Sequence, residues 1–145
     1  MIEVRGFRLN DVQSLKLRLE DTDRLIYRNE AEWLEVAKKS IAYTLLYDDE
    51  ILCCGGVCFY REGFGEAWIL CSHGVEDHPL ITVRAVKNVI DDIVKFCQVH
   101  RVQATVRCDW PQAQKFIEFL GFQKEGTLRR YGPDRSNYYM YSRIT

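Results

Sequence analysis

The sequence predicts a single α/β (α+β) domain, one sheet flanked by helices. Three observations carry this. Stretches of strand length with alternating or continuous apolar residues recur along the chain. An apolar period of three to four residues takes over between Leu80 and His100. The segment from Val102 onward reads as strand, helix, helix stop and closing hairpin. The length of 145 residues fits one domain spanning 1–145, long enough to bury a proper core.

Taken in order, Ile2 to Phe7 alternates apolar and charged residues, as a first strand does. Asn10-Asp11 offers a helix cap ahead of the rough stripe Val12, Leu15, Leu17 and Leu19, which Asp21-Thr22-Asp23 interrupts. A second helix is expected from Glu30 to Lys39, with Trp33, Leu34, Val36 and Ala37 as its apolar side. Ala42 to Tyr47 and Ile51 to Tyr60 are strands joined by the turn Asp48-Asp49-Glu50, hence a hairpin. Gly55-Gly56 in the second of these marks a bulge or a close backbone approach. Arg61 to Gly65 is a loop, Glu66 to Ser72 a strand, and His73 to Pro79 a polar loop. From Leu80 to His100 the spacing of Val83, Val86, Val89-Ile90, Ile93-Val94 and Cys97 gives a helix with one buried face. Val102 to Cys108 alternates again. Pro111 then suits a first helical turn, and Gly121 suits the left-handed position that ends a helix. Gln123 to Tyr131 and Asn137 to Ile144 are strands joined by Gly132 to Ser136. The order is β-α-α-β-β-β-α-β-α-β-β, without internal repeat.

The bulk chemistry narrows the function classes. A net charge of -1 provides no basic field for nucleic acid. No apolar run reaches the ~18 residues of a membrane-spanning helix. The six cysteines lie mainly in apolar runs, and Met1 to Arg5 lacks the apolar core of a secretory signal. Reduced, buried thiols in a cytoplasmic protein are therefore expected, and the cysteine spacing does not suit a zinc site.

Ala113 and Leu120-Gly121-Phe122, followed by Gly126, Tyr131-Gly132-Pro133-Asp134 and Tyr138-Tyr139-Met140-Tyr141, resemble the closing part of the GCN5-related N-acetyltransferase (GNAT) superfamily. The element order resembles that family over nearly the whole chain. The resemblance implies a mixed, mostly antiparallel sheet of about seven strands with about four helices. It implies transfer of an acetyl group from acetyl-CoA to a small-molecule or protein amine, without a metal. A strand would supply backbone N–H groups to the donor, and a glycine-rich loop at a helix N-terminus would cradle its diphosphate.

Placed on that pattern, Ile81, Arg84 and Val86 stand at the basic and two glycine positions of the R-x-x-G-x-G stretch, so the motif is degenerate. Trp110 stands at the family's Asn and Ile117 at its Tyr. The resemblance leaves donor contacts to the backbone of Leu70, Cys71 and Ser72, to Thr82, Val83 and Arg84, and to Trp110. Lys87 is a further cation near the same helix start. Glu66 is the best-placed base, with His73 and His78 as alternatives. Tyr131 is the candidate acid, with Tyr138 and Tyr139 beside it. A narrower resemblance, through Ala67-Trp68-Ile69-Leu70 and Phe116-Ile117-Glu118-Phe119-Leu120-Gly121, is to short phage-encoded members of the fold such as small internal virion proteins of podoviruses. It implies a non-catalytic module of a phage or prophage assembly. The two readings, enzyme and assembly module, stand side by side, with a homodimer or a virion as the assembly implied.

Overall fold

The computed structural model describes residues 1–15 and 30–145. Leu17, Leu19 and Asp21-Thr22-Asp23 lie outside the described residues. The elements are β1 (Ile2–Gly6), α1 (Asn10–Ser14), α2 (Glu30–Lys38), β2 (Ser40–Tyr47), β3 (Glu50–Arg61), β4 (Phe64–Cys71), a 3-10 turn (His73–Glu76), α3 (Pro79–Phe96), β5 (Arg101–Arg107), α4 (Pro111–Phe119), β6 (Gln123–Leu128) and β7 (Tyr138–Ile144). The order is the expected one. The strands form one sheet, β1-β2-β3-β4-β5-β7-β6. Every neighbouring pair is antiparallel except β4–β5, which is parallel. A parallel pair needs a crossover, and α3 supplies it.

The two faces of the sheet are covered differently. On one, Ile90, Ile93 and Val94 of α3, Ile117 of α4 and Leu120 just past its end pack on Val57, Val102, Ala104, Val106 and Tyr141. The period-2 burial of β5 matches this, with Val102, Ala104 and Val106 turned inward. On the other face, Val12, Leu15 and Trp33 pack on Cys54 and Leu70. Trp68 holds that side together, its ring 5.3 Å from Phe7 and 5.4 Å from Trp33. Leu34, expected on the apolar side of α2, is exposed.

Helices α3 and α4 end in Schellman turns. After α4, Phe122 N–H bonds to the Ile117 carbonyl and Gly121 N–H to that of Glu118, with Gly121 at φ +94°. After α3, Val99 N–H bonds to Val94 and Gln98 N–H to Lys95, with Gln98 at φ +50°. This stops α3 at Phe96, short of the expected His100. Asp48 and Asp49 both have positive φ, the pattern of a two-residue turn matched to hairpin twist.

Gly56 is a point of close approach. A Cβ there would lie 2.6 Å from the Ala42 Cα. The bulge in the β2–β3 pairing lies elsewhere, between Leu45 and Leu46.

Asp11 does not cap α1. The N-cap is Leu9, without a side-chain cap bond. Asp11 is instead a buried carboxylate tying α1 to β1 and β2. It accepts from Arg5 Nη1 and Nη2 at 2.9 and 2.8 Å, from Arg8 N–H at 2.9 Å and from the Thr44 hydroxyl at 2.6 Å. No disulfide joins the six cysteines; Cys53, Cys54 and Cys71 are buried and the others half-buried. Among the described residues no helix is long and apolar enough to cross a membrane, and no cluster of His, Cys, Asp and Glu is placed to hold a metal.

Candidate active site

The parallel pairing of β4 and β5 is short. It runs from Phe64–Arg101 through Gly65–Val102 to Glu66–Gln103, and beyond that point the register records no further pair. The strands part and leave a gap inside the sheet. Ser72 N–H bonds to the Leu52 carbonyl at 2.8 Å, which sets the phase of the β3–β4 ladder. Alternation then turns the backbone groups of Leu70, Trp68 and Glu66 toward β3, and those of Ala67, Ile69 and Cys71 toward the gap.

On the helix side the gap opens into a cavity of about 510 Å³. Val83, Val86 and Ile90 of α3, Ala104 and Val106 of β5, and Trp110 and Phe116 at α4 form much of its wall. The lining is predominantly apolar, with Glu76, Thr82, Thr105 and Gln112 as polar exceptions. It suits a neutral, flexible chain entering between the helices and lying along the β4 edge.

The opposite face of the gap is polar. Cys58, Glu66 and Gln103 lie side by side across β3, β4 and β5. Tyr60 donates its hydroxyl to the Glu66 carboxylate. Burial, that hydrogen bond and the Glu66 charge push the Tyr60 phenol well above its ordinary value, so it stays protonated and donating. Tyr131 lies on the loop between β6 and β7. Its ring centroid is 5.3 Å from that of Tyr138. The loop is pinned by Arg107, whose Nε bonds Asp109 at 3.0 Å and whose Nη1 bonds Asp134 at 3.0 Å. Asp134 also accepts from the Ser136 hydroxyl and backbone N–H.

The connection from β4 to α3 is a wound 3-10 turn rather than an open loop. Gly74 N–H bonds to Ser72 Oγ, Val75 N–H to the Ser72 carbonyl, Asp77 N–H to Gly74 and His78 N–H to Val75. Pro79 follows at the first helical position and has no N–H. Thr82 returns both its N–H and its hydroxyl to the His78 carbonyl, at 3.1 and 2.7 Å. Leu80 and Ile81, the remaining residues of the first turn, carry exposed apolar side chains. An N-terminal helical turn ordinarily presents four unbonded N–H groups to an anion. Here His78 N–H is already bonded and Pro79 has none, which leaves those of Leu80 and Ile81, beside the exposed carboxylates of Glu76 and Asp77. The pantetheine arm of coenzyme A fits the cleft; its diphosphate does not fit this turn.

The residues expected from sequence separate into three groups. Cys71, Thr82, Val83 and Trp110 line the cavity. Leu70 and Ser72 do not: Leu70 is buried on the other face, and the Ser72 hydroxyl bonds the Ile51 carbonyl at 3.0 Å and receives Gly74 N–H. Arg84 is exposed and off the cavity wall. Glu66 comes together with Tyr60 on the polar face, while Tyr131 lies on the β6–β7 loop against Tyr138. His73 is exposed, while His78 stacks on Tyr47 at 3.9 Å. Lys87 is paired with Asp91 at 2.8 Å. Tyr138 and Tyr139 are half-buried in β7, and Ile117 is core. Sequence reasoning missed Ala67, Ile69 and Tyr60. The register shift between Phe59 and Arg61 sets Cys58 opposite Glu66 and leaves Tyr60 at the irregularity, which hairpin counting does not reveal.

No protein-family model and no curated protein sequence matches the chain. Solved structures match over almost all of it. One is spermidine N-acetyltransferase from Vibrio cholerae in complex with CoA and spermine, with a TM-score of 0.77, 12% identity, and coverage of 99% of this chain and 95% of that one. Another is ribosomal-protein-S5-alanine acetyltransferase from Vibrio fischeri, with TM-score 0.73, 18% identity, and coverage of 99% and 92%. A third is a GNAT-family acetyltransferase from Bacillus anthracis, with TM-score 0.71, 16% identity, and coverage of 99% and 94%. The chain has the fold of the GNAT acyl-CoA N-acyltransferases, a mixed seven-stranded sheet flanked by helices.

Proposed function

We propose that the protein is an N-acyltransferase that moves an acyl group, acetyl in the simplest case, from a thioester to a primary amine. The observation that carries this is the early end of β4–β5 pairing at Glu66–Gln103, which turns the Ala67 and Cys71 backbone toward an apolar cavity. The donor supplies an acyl carbon activated as a thioester. The β4 edge orients it, and an edge N–H at the start of the gap stabilises negative charge developing on its carbonyl oxygen. The apolar wall excludes water that would hydrolyse it. The amine approaches from the polar face. Glu66 takes its proton as the C–N bond forms and the C–S bond breaks, and Tyr131 returns a proton to the departing thiolate. Tyr60 holds the Glu66 carboxylate in place. That the solved neighbour from Vibrio cholerae binds CoA and spermine supports a thioester donor and an amine acceptor.

The test is release of free thiol from acetyl-CoA with polyamines and N-terminal peptides as acceptors. Transfer is expected for at least one acceptor. Glu66→Gln should lower kcat by about 10²-fold with little change in the donor KM. An unchanged kcat removes Glu66 as the base.

A second reading is favoured by one observation, the wound β4–α3 turn: a non-catalytic module of a phage or prophage assembly. It predicts no thiol release with any donor or amine and stable association with a virion component.

A further inference from the structure

We infer that the donor is recognised through its pantetheine arm and acyl group alone, so that a phosphate-free acyl-pantetheine thioester serves as well as the coenzyme A thioester. This rests on the reading of the β4–β5 cleft as the donor site. The cleft and the turn beside it make opposite offers. Along the cleft, the β4 edge at Ala67 and Cys71 and the walls from α3 and α4 match an amide-bearing, otherwise apolar arm. At the turn, the N–H groups of Gly74, Val75, Asp77 and His78 are already donated within the chain. Pro79 has none to give. Glu76 lines the cavity at this end, and Asp77 is exposed next to it. Glu50 is close as well, its Oε1 3.5 Å from where a Cβ on Gly74 would sit.

Nearby cations do not offset these carboxylates. Arg84 is exposed and off the cavity wall, and Lys87 is held by Asp91. Exposed Leu80 and Ile81 complete the rim. A doubly charged diphosphate placed here would meet carboxylates and apolar side chains, with the Leu80 and Ile81 N–H groups as the remaining donors of the first turn. Such a diphosphate would contribute little to affinity.

The experiment compares acetyl-CoA with S-acetylpantetheine on the intact protein. Binding is read by tryptophan fluorescence, since Trp68 and Trp110 line the cleft, and turnover by thiol release. The expected result is Kd and kcat/KM values for the two donors within about tenfold of each other, with little dependence on salt. A preference for acetyl-CoA beyond about tenfold in Kd overturns the inference and leaves the donor-cleft reading intact. Failure of both donors to change the fluorescence or to release thiol overturns the inference together with that reading. Because fluorescence reports occupancy without catalysis, binding of both donors without turnover still supports the inference.

Discussion

Replacing Asp11 with Asn should cost stability by an amount that depends on pH in a defined way. Burial alone pushes this carboxyl up. Hydrogen bonds from Arg5, Thr44 and the Arg8 N–H, with the Arg5 charge, outweigh it and bring the value from the ordinary 3.8 down to about 2. That difference corresponds to about 2 kcal/mol of folding free energy. The folded value is depressed, so the contribution is fully present above the ordinary aspartate range and fades as pH falls from about 4 toward 2. Asn keeps the shape but not the charge. It leaves the Arg5 guanidinium without its bidentate partner, and the fully buried Thr44 hydroxyl with a weaker acceptor. The expected loss near neutral pH is about 2–3 kcal/mol, with Tm lower by about 5–10 °C. Urea unfolding followed by tryptophan fluorescence reads both proteins near neutrality and near pH ~2.5. The gap should shrink to about 1 kcal/mol at the acid end. A gap below about 0.5 kcal/mol near neutrality, or one that persists undiminished in acid, would refute the reasoning.

Gly56→Ala should be among the most damaging small substitutions in the chain, because the new Cβ meets the backbone of β2, 2.6 Å from the Ala42 Cα. A loss of about 2 kcal/mol or more, or loss of soluble protein, is expected by thermal unfolding. Gly126→Ala, with nothing within 4 Å of its Cβ, should leave Tm nearly unchanged. Arg107→Ala should release Asp134, and with it the β6–β7 loop, from β5 and misplace Tyr131. Steady-state kinetics should then show kcat lowered about tenfold with the donor KM little changed.

The parts of the fold legible in the sequence were those governed by local chemistry. Pro111 and Gly121 bracket α4 because one lacks an N–H that a first turn does not need and the other tolerates positive φ. The glycine pair at Gly55-Gly56 marked a close approach because the neighbouring strand leaves no room for a Cβ. Where a partner lies far along the chain, the reading failed. Asp11 resembled a cap, but Arg5 on β1 and Thr44 on β2 make it a buried hub. Gln98 ends α3 in a left-handed conformation that its side chain does not announce. The site was half legible for the same reason. Alternation located β4, yet only its register with β3 shows that Ala67 and Cys71, not Leu70 and Ser72, turn backbone to the cleft. The absence of glycine at Arg84 and Val86 was plain from the sequence. That the preceding segment winds into a turn bonding its own N–H groups was not, since those bonds depend on Ser72 and on the Pro79 start of α3.

Hydrogen exchange at single amides of β4, with and without a saturating acetyl thioester, tests the donor-cleft account most directly. The account predicts that the Ala67 and Cys71 amides, turned toward the gap, gain protection of about tenfold or more when the donor binds, while Leu70 and Ser72, already bonded to β3, change little. Donor binding that leaves Ala67 and Cys71 unchanged would contradict it.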